Sequence, residues 1–368
     1  MPVYLDNAAT TPMRAEAVEA MLPFLRDRFG NPSGSHAVSR EARKALDEAR
    51  DVVAACLGAA PGEIVFTGGG TEADNLAIAG VGGTVVCSAV EHHAVLHACA
   101  ALGGRLAPVT ADGVVDLGGL ATVLGPEVTV VSVMLVNNEV GTIQPLDDVA
   151  EVVRRYAPRA VLHTDAVAAF TWLDVAAVAR PADLVAVSAH KFGGPKGVGA
   201  LVVRRPTTVA PILHGGGQER DRRSGTHNVA GIVAMAAAMR ATVAERADVV
   251  ARVGGLRDRL ADGLLAAVPG ALETGRREGR VAGNCHVSFA DVEAEALLTL
   301  LDGDGVYASA GSACASGAVE PSHVLAAMGV PRERALGSLR LTLGRDTTEA
   351  DVDLALGVIP PAVARLRG

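Results

Sequence analysis

Short apolar runs rich in β-branched residues alternate with amphipathic stretches from about Glu63 to Val203. A strand that is buried on both faces has such a continuous apolar pattern. Six runs carry it: EIVFTG, TVVCSA, VTVVSVMLV, AVLHTD, DLVAVSAH and GALVVR. Their alternation with helical stretches predicts crossover connections, and therefore an α/β fold with a mainly parallel sheet flanked by helices.

A second pattern follows an Ala-rich helical region that runs from Val229 to Val268. It contains its own strand and helices, and a chain of 368 residues is long enough for two domains. We place the boundary near Val249. Residues 16–248 are predicted to form a large domain, and residues 1–15 and 249–368 a smaller α+β domain.

The net charge of the chain and the length of its apolar runs argue against nucleic acid and membranes as partners. A net charge of −8 and a pI near 5.7 argue against nucleic acid or an anionic membrane as partner, because both normally require a basic patch. The longest apolar run, VTVVSVMLV, is far shorter than the roughly 20 residues that cross a bilayer. The start of the chain, MPVYLDNAATTP, lacks the pattern of a secretory signal. We therefore expect a cytoplasmic protein.

The five cysteines differ in their surroundings. Cys56, Cys87, Cys99 and Cys285 lie in helical or strand-like apolar patterns, where a free cysteine usually fills core space. Cys314 instead lies among small residues, in ASAGSACASG. Glycines and the lack of large apolar neighbours predict a loop that can move, and a thiol on such a loop suggests chemistry.

The first strand end, FTGGGTEADNLAI, is suited to a phosphate. Three glycines between a strand and a helix let backbone N–H groups approach an anion, and Thr71 adds a hydroxyl. Glycine turns also begin many helices without any ligand. The spacing matches neither the dinucleotide-binding nor the P-loop pattern.

An acid and a lysine end two successive strands. Asp165 closes AVLHTD, and Lys191 follows DLVAVSAH. A structural ion pair is one interpretation. The other is a site for pyridoxal phosphate, because its aldehyde requires a lysine and its ring nitrogen requires an acid.

A histidine-rich segment, EHHAVLHAC, offers an alternative. His93 and His97 are spaced to share one face of a helix and could bind a metal. However, the order of Glu91 and the histidines is not H-E-x-x-H, and no third ligand is evident. An imidazole from His92 stacked on a cofactor ring fits the segment at least as well, so we expect no metal.

Taken together, eleven motifs resemble the cysteine desulfurases of the NifS and IscS type, within the class V aminotransferase fold. They occur in the right order over almost the whole chain: YLDNAATTP, NPSGSH, FTGGGTEADNLAI, EHHAVL, VNNEVGTIQP, HTDAV, SAHKFGGPKGVGAL, GGGQERDRRSGT, ASAGSACASG, EPSHVL and SLRLTLGR. The resemblance implies the fold type I of pyridoxal phosphate enzymes, with the catalytic cysteine loop on the smaller domain.

The resemblance also implies a role for each matching residue. Lys191 would bind the cofactor covalently and then act as the base, Asp165 would pair with its ring nitrogen, and His92 would stack on the ring and assist proton transfer. Other residues would contact the cofactor, mainly its phosphate: Gly70, Thr71, Asn138, Ser188, His190 and, from the other subunit of a homodimer, Thr226. Asn138 and Arg340 would hold the substrate carboxylate.

The activity implied is the conversion of L-cysteine to L-alanine. The sulfur would be held as a persulfide on Cys314 and passed to an acceptor protein, either an iron–sulfur scaffold or a thiolation enzyme. A selenocysteine lyase or an aminotransferase of the same fold is the nearest alternative, and a non-catalytic scaffold is the alternative from another class.

Three positions depart from the pattern that the resemblance implies. Ala168 stands where the family usually has a glutamine that donates to the phenolic oxygen of the cofactor. Gly68 replaces a frequent serine in the phosphate turn, and Asp221 replaces a frequent glycine in the intersubunit segment. None of these substitutions removes a catalytic group.

Overall fold

The fold was examined in a computed structural model that describes residues 2–311 and 321–368. The helices of these residues are α1 (Ala15–Arg26), α2 (Ala37–Cys56), α3 (Gly70–Val81), α4 (His93–Ala101), α5 (Leu117–Val123), α6 (Leu146–Tyr156), α7 (Val175–Val178), α8 (Val229–Ala267), α9 (Ala294–Gly303), α10 (His323–Ala327), α11 (Arg332–Leu336) and α12 (Glu349–Arg367). The strands are β1 (Val3–Tyr4), β2 (Ile64–Thr67), β3 (Thr84–Ser88), β4 (Arg105–Ala107), β5 (Val128–Ser132), β6 (Val161–Asp165), β7 (Leu184–Ser188), β8 (Gly199–Val203), β9 (Leu272–Glu273), β10 (Asn284–Ser288), β11 (Val306–Tyr307) and β12 (Ser338–Thr342).

A seven-stranded sheet forms the centre of the larger part, in the order β2, β8, β7, β6, β5, β3, β4. Neighbouring strands are parallel except at β8, which runs antiparallel to both β2 and β7. All six apolar runs form strands of this sheet, and most of their residues are buried. The predicted α/β fold with a mainly parallel sheet is therefore confirmed.

The long helix α8 connects two hydrophobic cores. Its first half packs on α1 and α2 and contributes Ile232, Met235 and Met239 to the core beneath the sheet. Its second half packs on α12 and contributes residues such as Leu260 to a separate core. The helix begins at Asn228, whose side chain accepts a hydrogen bond of 3.0 Å from the Gly231 N–H and caps the first turn.

The second core belongs to the C-terminal part of the chain and includes residues from its beginning. β10 pairs antiparallel with β9 and β12, and β1 pairs in parallel with β11. Val3 and Leu5 are buried in this core with Leu297, Leu339 and Ile359. The N-terminal segment thereby reaches the neighbourhood of β12.

The cysteines follow their predicted environments in three cases out of four. Cys87, Cys99 and Cys285 are buried core residues, as predicted, whereas Cys56 is only partly buried beside its core. Cys56 is the last residue of α2, which leaves one side of the thiol uncovered. Within residues 2–311 and 321–368, no helix is long and apolar enough to span a bilayer.

Candidate active site

The carboxyl ends of five strands meet at one edge of the large sheet. β3, β5, β6 and β7 are parallel, and β2 points the same way because both β2 and β7 run antiparallel to β8. Open sheets of this kind bind ligands beyond these ends. The segments that follow the strands carry the glycine turn, His92, Asn138 and Lys191, and β6 itself ends at Asp165.

The glycine turn after β2 leads directly into α3, a helix of 12 residues. A Cβ atom at Gly70 would lie 2.7 Å from Cγ2 of Val167, so only glycine fits here. The turn lines a cavity together with Thr71, Ser188 and His190. The first backbone N–H groups of a helix have no partner within it, and the helix dipole favours negative charge at this end. The cavity is therefore suited to a phosphate group.

Lys191 lies in an adjoining cavity of about 360 Å³, which also contains Thr71, Ser188 and His190. Its ammonium donates hydrogen bonds to the carbonyl oxygens of Ala8 and, at 3.0 Å, Ala9. Burial and the positive charge of Arg340 lower the pKa of Lys191 to about 8, although Asp165 and Asp6 oppose the shift. An amine with this pKa is neutral in an appreciable fraction of molecules at neutral pH, which a nucleophile or base requires.

Asp165 lies in the same cavity and is only 5% exposed. Its Oδ1 accepts a hydrogen bond of 2.8 Å from the Val167 N–H. Burial raises the pKa of Asp165, whereas this hydrogen bond and the charges of His92 and Lys191 lower it. A cationic group placed beside the carboxyl would favour its ionised form.

His92 caps the N-terminus of α4, and its Nδ1 accepts a hydrogen bond of 3.1 Å from the Ala94 N–H. Its ring lines the cavity together with Asp165 and Lys191. Burial lowers the pKa of His92. The hydrogen bond fixes Nδ1 as an acceptor, so the neutral ring carries its proton on Nε2.

Arg340 reaches the cavity from β12 and is held in place on two sides. Its Nη2 donates to Asp6 Oδ1 at 2.8 Å, and its Nη1 donates to the Asn138 carbonyl oxygen at 3.1 Å. Its Nε has no hydrogen-bond partner among the described residues. A fixed, buried guanidinium with an unused donor is suited to binding a carboxylate.

Asn138 and Ala168 line this cavity and also a second one that extends beneath Lys191 towards Trp172. A longer side chain at position 168 would therefore face open space. The other two departures also have structural correlates. The Gly68 N–H donates to Glu72 Oε2 at 2.7 Å, and Asp221 has a φ of +63°, a conformation that favours glycine.

One predicted site residue is not brought to the cavity within this chain, and a second lies outside the described residues. Thr226 is exposed and lines neither cavity around Lys191 and the glycine turn. Its contribution to a partner subunit stays a prediction. Cys314 lies outside the described residues, so the predicted mobility of its loop and its role as nucleophile also stay predictions.

The residues present fit pyridoxal phosphate. The glycine turn and Ser188 provide a cradle for the phosphate, Asp165 a buried carboxyl for the ring nitrogen, and Lys191 a partly neutral amine for the aldehyde. His92 supplies a flat ring in the same cavity. Each part of this cofactor therefore has a chemically matched group at this edge of the sheet.

The histidine cluster extends beyond the predicted pair. The ring centroid of His93 lies 5.1 Å from that of His97 and 4.6 Å from that of His323. His323 Nε2 lies 2.9 Å from the carbonyl oxygen of Glu91. In the part of the chain that the structure describes, no group of three or more His, Cys, Asp or Glu residues could hold a metal ion.

Several polar residues of the site have no role predicted from the sequence. Asp6 orients Arg340, Asp74 lines the cavity, and Glu91 and His163 are fully buried near it. One signal was available: Asp74, Glu91 and His163 interrupt otherwise apolar or helical patterns at positions that the fold buries. Burying a titratable group costs folding free energy, so a titratable residue at a buried position is a candidate for a functional role.

Comparison with known proteins identifies the class of protein to which this site belongs. The chain matches the aminotransferase class-V family over residues 3–355 and belongs to that family. It is 45% identical to the cysteine desulfurase IscS of Methanosarcina thermophila, over 99% of this chain and 93% of that protein. It is 46% identical to the IscS-like cysteine desulfurase of Mycobacterium tuberculosis, over 99% and 97%.

Solved structures agree with the sequence comparison. A NifS-like protein superimposes with a TM-score of 0.93 and 36% identity, over 99% of this chain and 100% of that one. Within the class-V family, the chain is thus a member of the cysteine desulfurases of the NifS and IscS type, and the fold of these enzymes is that of pyridoxal phosphate fold type I.

Proposed function

We propose that this protein uses pyridoxal phosphate to remove sulfur from L-cysteine, releasing L-alanine and holding the sulfur as a persulfide on Cys314. One observation carries the proposal: Lys191, Asp165, His92 and Arg340 line a single cavity beside a glycine turn suited to phosphate. A scaffold without catalysis has no need of a buried lysine whose pKa lies near 8.

The cofactor would be held by four kinds of contact: the glycine turn and Thr71 at the phosphate, Asp165 at the ring nitrogen, His92 against the ring and Lys191 at the aldehyde. When bound, it supplies an electron sink that lowers the barrier to breaking bonds at the substrate Cα. Asp165 favours this chemistry because its carboxylate stabilises a protonated ring nitrogen.

The chain's own residues bind the substrate and move its protons. Arg340 binds the substrate carboxylate through its guanidinium, with Asn138 as a second donor. Lys191, whose amine would hold the aldehyde of the cofactor, would take the Cα proton. His92 is neutral with its proton on Nε2, so it assists proton transfer on the same side of the cavity.

The sulfur step uses a residue outside the described part of the chain. The Cys314 thiolate attacks the substrate sulfur, an S–S bond forms, and the C–S bond breaks. The electron pair of that bond remains with the carbon, which accepts a proton as alanine forms. The persulfide then passes to an acceptor protein of iron–sulfur cluster assembly or of thiolation. We place this chemistry in the cytoplasm, where thiols stay reduced.

The decisive experiment incubates the purified protein, loaded with pyridoxal phosphate, with L-cysteine and a reductant. It follows alanine, sulfide and protein-bound persulfide together. Equal amounts of alanine and released sulfur support the proposal. Formation of a keto acid with no sulfur release would instead indicate an aminotransferase, and a preference for selenocysteine by more than about tenfold in kcat/KM would indicate a selenocysteine lyase.

We also propose that the enzyme is a homodimer in which Thr226 binds the phosphate of the neighbouring subunit. The exposure of Thr226 supports this idea, because the residue is free to contact another subunit. Arg223, three residues earlier, pairs with Glu72 at 2.7 Å, and Glu72 in turn accepts from the Gly68 N–H of the phosphate turn. These contacts connect the segment that carries Thr226 to the phosphate turn of its own subunit.

Mixing two inactive variants tests the shared site. If Thr226 serves the neighbour, a dimer of one Thr226→Ala chain and one Lys191→Ala chain has both lesions in one site and an intact second site. Mixed dimers should then approach half of the native activity. Mixed dimers that form but are no more active than the parent variants would contradict the shared site.

The proposed domain division is 16–248 for the large domain and 1–15 with 249–368 for the small one. Two separate hydrophobic cores support it, since Val3 and Leu5 pack with residues beyond 249 and not with the sheet. The boundary falls inside α8. Limited proteolysis that released a stable fragment with a different boundary would contradict this division.

A further inference from the structure

Behind Asp165, three buried polar residues form a chain that the proposed mechanism does not use. Ser132 and His163 are 0% exposed, and Asp74 is 1% exposed. Ser132 Oγ lies 2.8 Å from His163 Nδ1, and His163 Nε2 lies 3.5 Å from Asp74 Oδ1. Both of these last two atoms are buried without a hydrogen-bond partner among the described residues, so a proton on either one would let them pair with a small shift.

The order serine, histidine, aspartate resembles a hydrolase triad, but the burial excludes that function. A nucleophilic serine must contact its substrate, whereas Ser132 is completely enclosed at the end of β5. Asp74 is the member that faces the cofactor cavity, which it lines together with Asp165 and Lys191. Of these three residues, Asp74 is therefore the one that borders the cavity.

The fold places the chain directly against Asp165. His163 and Asp165 are two residues apart on β6, so their side chains lie on the same face of the sheet. α3 packs on β6 and brings Asp74 to that face, one helical turn beyond Gly70. Gly70, at the phosphate turn, and Asp74, on the face of β6 that carries Asp165, are thus one helical turn apart on α3.

The cavity contains more carboxyl groups than one cofactor cation can balance. Asp74 faces Asp165 and His163 from β6, Glu91 from the segment after β3, and His92, Lys191 and Arg340 across the cavity. Arg340 is already paired with Asp6. A protonated ring nitrogen adds a single positive charge, so a second ionised carboxylate beside it would be buried without a partner.

We propose that Asp74 stays protonated and donates to His163 Nε2, so that this neutral pair positions Asp165 and leaves it as the only carboxylate facing the ring nitrogen. His163 then carries its proton on Nδ1 and donates to Ser132 Oγ. This inference rests on the proposed binding of pyridoxal phosphate. Asp74 and His163 are positioning residues, since neither is placed to react with the substrate.

The electrostatic environment is consistent with this assignment of protons. Burial, together with the negative charges of Asp165 and Glu91, raises the pKa of Asp74 well above its ordinary value. Burial lowers the pKa of His163 to about 3, so the imidazole is neutral at physiological pH. Burial raises the pKa of Asp165 too, but Asp165 accepts a backbone hydrogen bond and lies near His92 and Lys191, and these contacts favour its ionised form.

Two uncharged substitutions of Asp74 test whether the site needs a neutral hydrogen-bond donor at this position or a negative charge. Asp74→Asn keeps the size and supplies an N–H to His163, whereas Asp74→Leu keeps a comparable size without a donor. We expect Asp74→Leu to weaken the retention of pyridoxal phosphate by about tenfold, the effect of one lost hydrogen bond and an unsatisfied ring nitrogen. Asp74→Asn should restore retention to within about threefold of the native protein.

The measurements are the dissociation constant of pyridoxal phosphate and the pH midpoint of the bound cofactor's visible absorbance. Asp74→Asn should move that midpoint by less than about 0.3 pH unit, and Asp165→Asn, as the comparison, by more than about one. Infrared difference spectra at neutral pH should lose a protonated carboxyl band in Asp74→Asn but not in Asp165→Asn.

Two results would overturn the inference. If Asp74→Asn shifted the midpoint as far as Asp165→Asn, Asp74 would carry the negative charge. If Asp74→Asn lost no infrared band, Asp74 would be ionised. A native protein that bound no pyridoxal phosphate would refute the proposed function instead, and the infrared comparison, which needs no cofactor, would still decide the protonation of Asp74.

Discussion

The buried ion pair between Arg50 and Glu219 allows a quantitative prediction. The guanidinium contacts both carboxylate oxygens, at 2.9 and 2.6 Å, and the two side chains are 9% and 1% exposed. The carboxylate also accepts hydrogen bonds from the Phe66 N–H at 3.0 Å and from His227 Nε2 at 2.8 Å. This network anchors the segment that leads to Thr226. Substituting Glu219→Gln removes the charge while keeping the shape.

The expected loss of stability follows from the pKa of Glu219. Burial alone would raise this pKa, but hydrogen bonds from His227 and Arg50 and the charge of Arg50 lower it to about 2, from an ordinary value of 4.5. At about 1.4 kcal/mol per pH unit, the folded state gains about 3 kcal/mol at neutral pH. Removal of one partner from a buried pair costs a similar amount, about 3–5 kcal/mol.

The sign of the pH dependence follows from the lowered pKa. The stabilisation is fully present above the unfolded value of 4.5 and is lost as the pH falls through about 2. At pH 3.5 the unfolded carboxyl is mostly protonated while the folded one remains ionised, so about 2 kcal/mol is retained. The difference in unfolding free energy between the native and Glu219→Gln proteins should therefore decrease from about 3 kcal/mol at pH 7 to about 2 kcal/mol at pH 3.5.

Urea denaturation at both pH values, at one fixed excess of pyridoxal phosphate, measures this difference. Glu48→Gln is the matched control. It removes the same charge from an exposed pair with Lys44, at 3.7 Å and with side chains 66% and 77% exposed, so it should cost less than about 1 kcal/mol. A loss below about 1 kcal/mol for Glu219→Gln at pH 7, or an equal loss at both pH values, would refute the reasoning.

Three further substitutions test the candidate site. Lys191→Ala should abolish turnover and leave no cofactor attached to the protein after borohydride reduction; label retained on another lysine would contradict the role of Lys191. Cys314→Ala should keep the cofactor absorbance but form no persulfide, and alanine production at the native rate would show that sulfur leaves without this thiol. Position 168 lines the cavity beneath Lys191, which has room for the longer side chain of Ala168→Gln. This variant should shift the pH midpoint of the cofactor absorbance by at most about one unit, because a single hydrogen bond contributes about 0.5–1.5 kcal/mol, and its cofactor content should be unchanged. A titration identical to that of the native protein would show that another donor is present.

Six of the seven strands in the large sheet could be predicted because each lies in a short apolar run, whereas β4 has only three residues, RLA, and was not predicted. The direction of β8 could not be predicted, since GALVVR has the same pattern whichever way it runs. The pairing of β1 with β11 could not be predicted either. Each has two residues, and the pairing joins Val3 to Val306 across nearly the whole chain.

Some polar residues of the site could be predicted from the sequence and others could not. Lys191 and Asp165 stand out because they follow apolar strands, at positions where ligands bind in parallel sheets. Asp74 and His163 lie inside a helix and a strand, and their significance depends on two elements meeting across the sheet. The periodic pattern of apolar residues indicates which face of a helix or strand is buried. It does not indicate which residue of another helix or strand lies opposite that face.

The charges around Lys191 explain why this cavity would select an amino acid with a free carboxylate. Lys191 and Arg340 are positive, and Asp165 and Asp6 are negative, so these four groups balance before a substrate enters. In the proposed mechanism, the ring nitrogen of the cofactor would add one positive charge beside Asp165, and the substrate carboxylate would add one negative charge beside Arg340. Arg340 would bind it without losing Asp6, because Nη1 and Nη2 each carry a second N–H beyond those that hold Asn138 and Asp6. Asp6 thus fixes the direction of the guanidinium, and a substrate without a carboxylate would leave N–H donors of a buried cation without a partner.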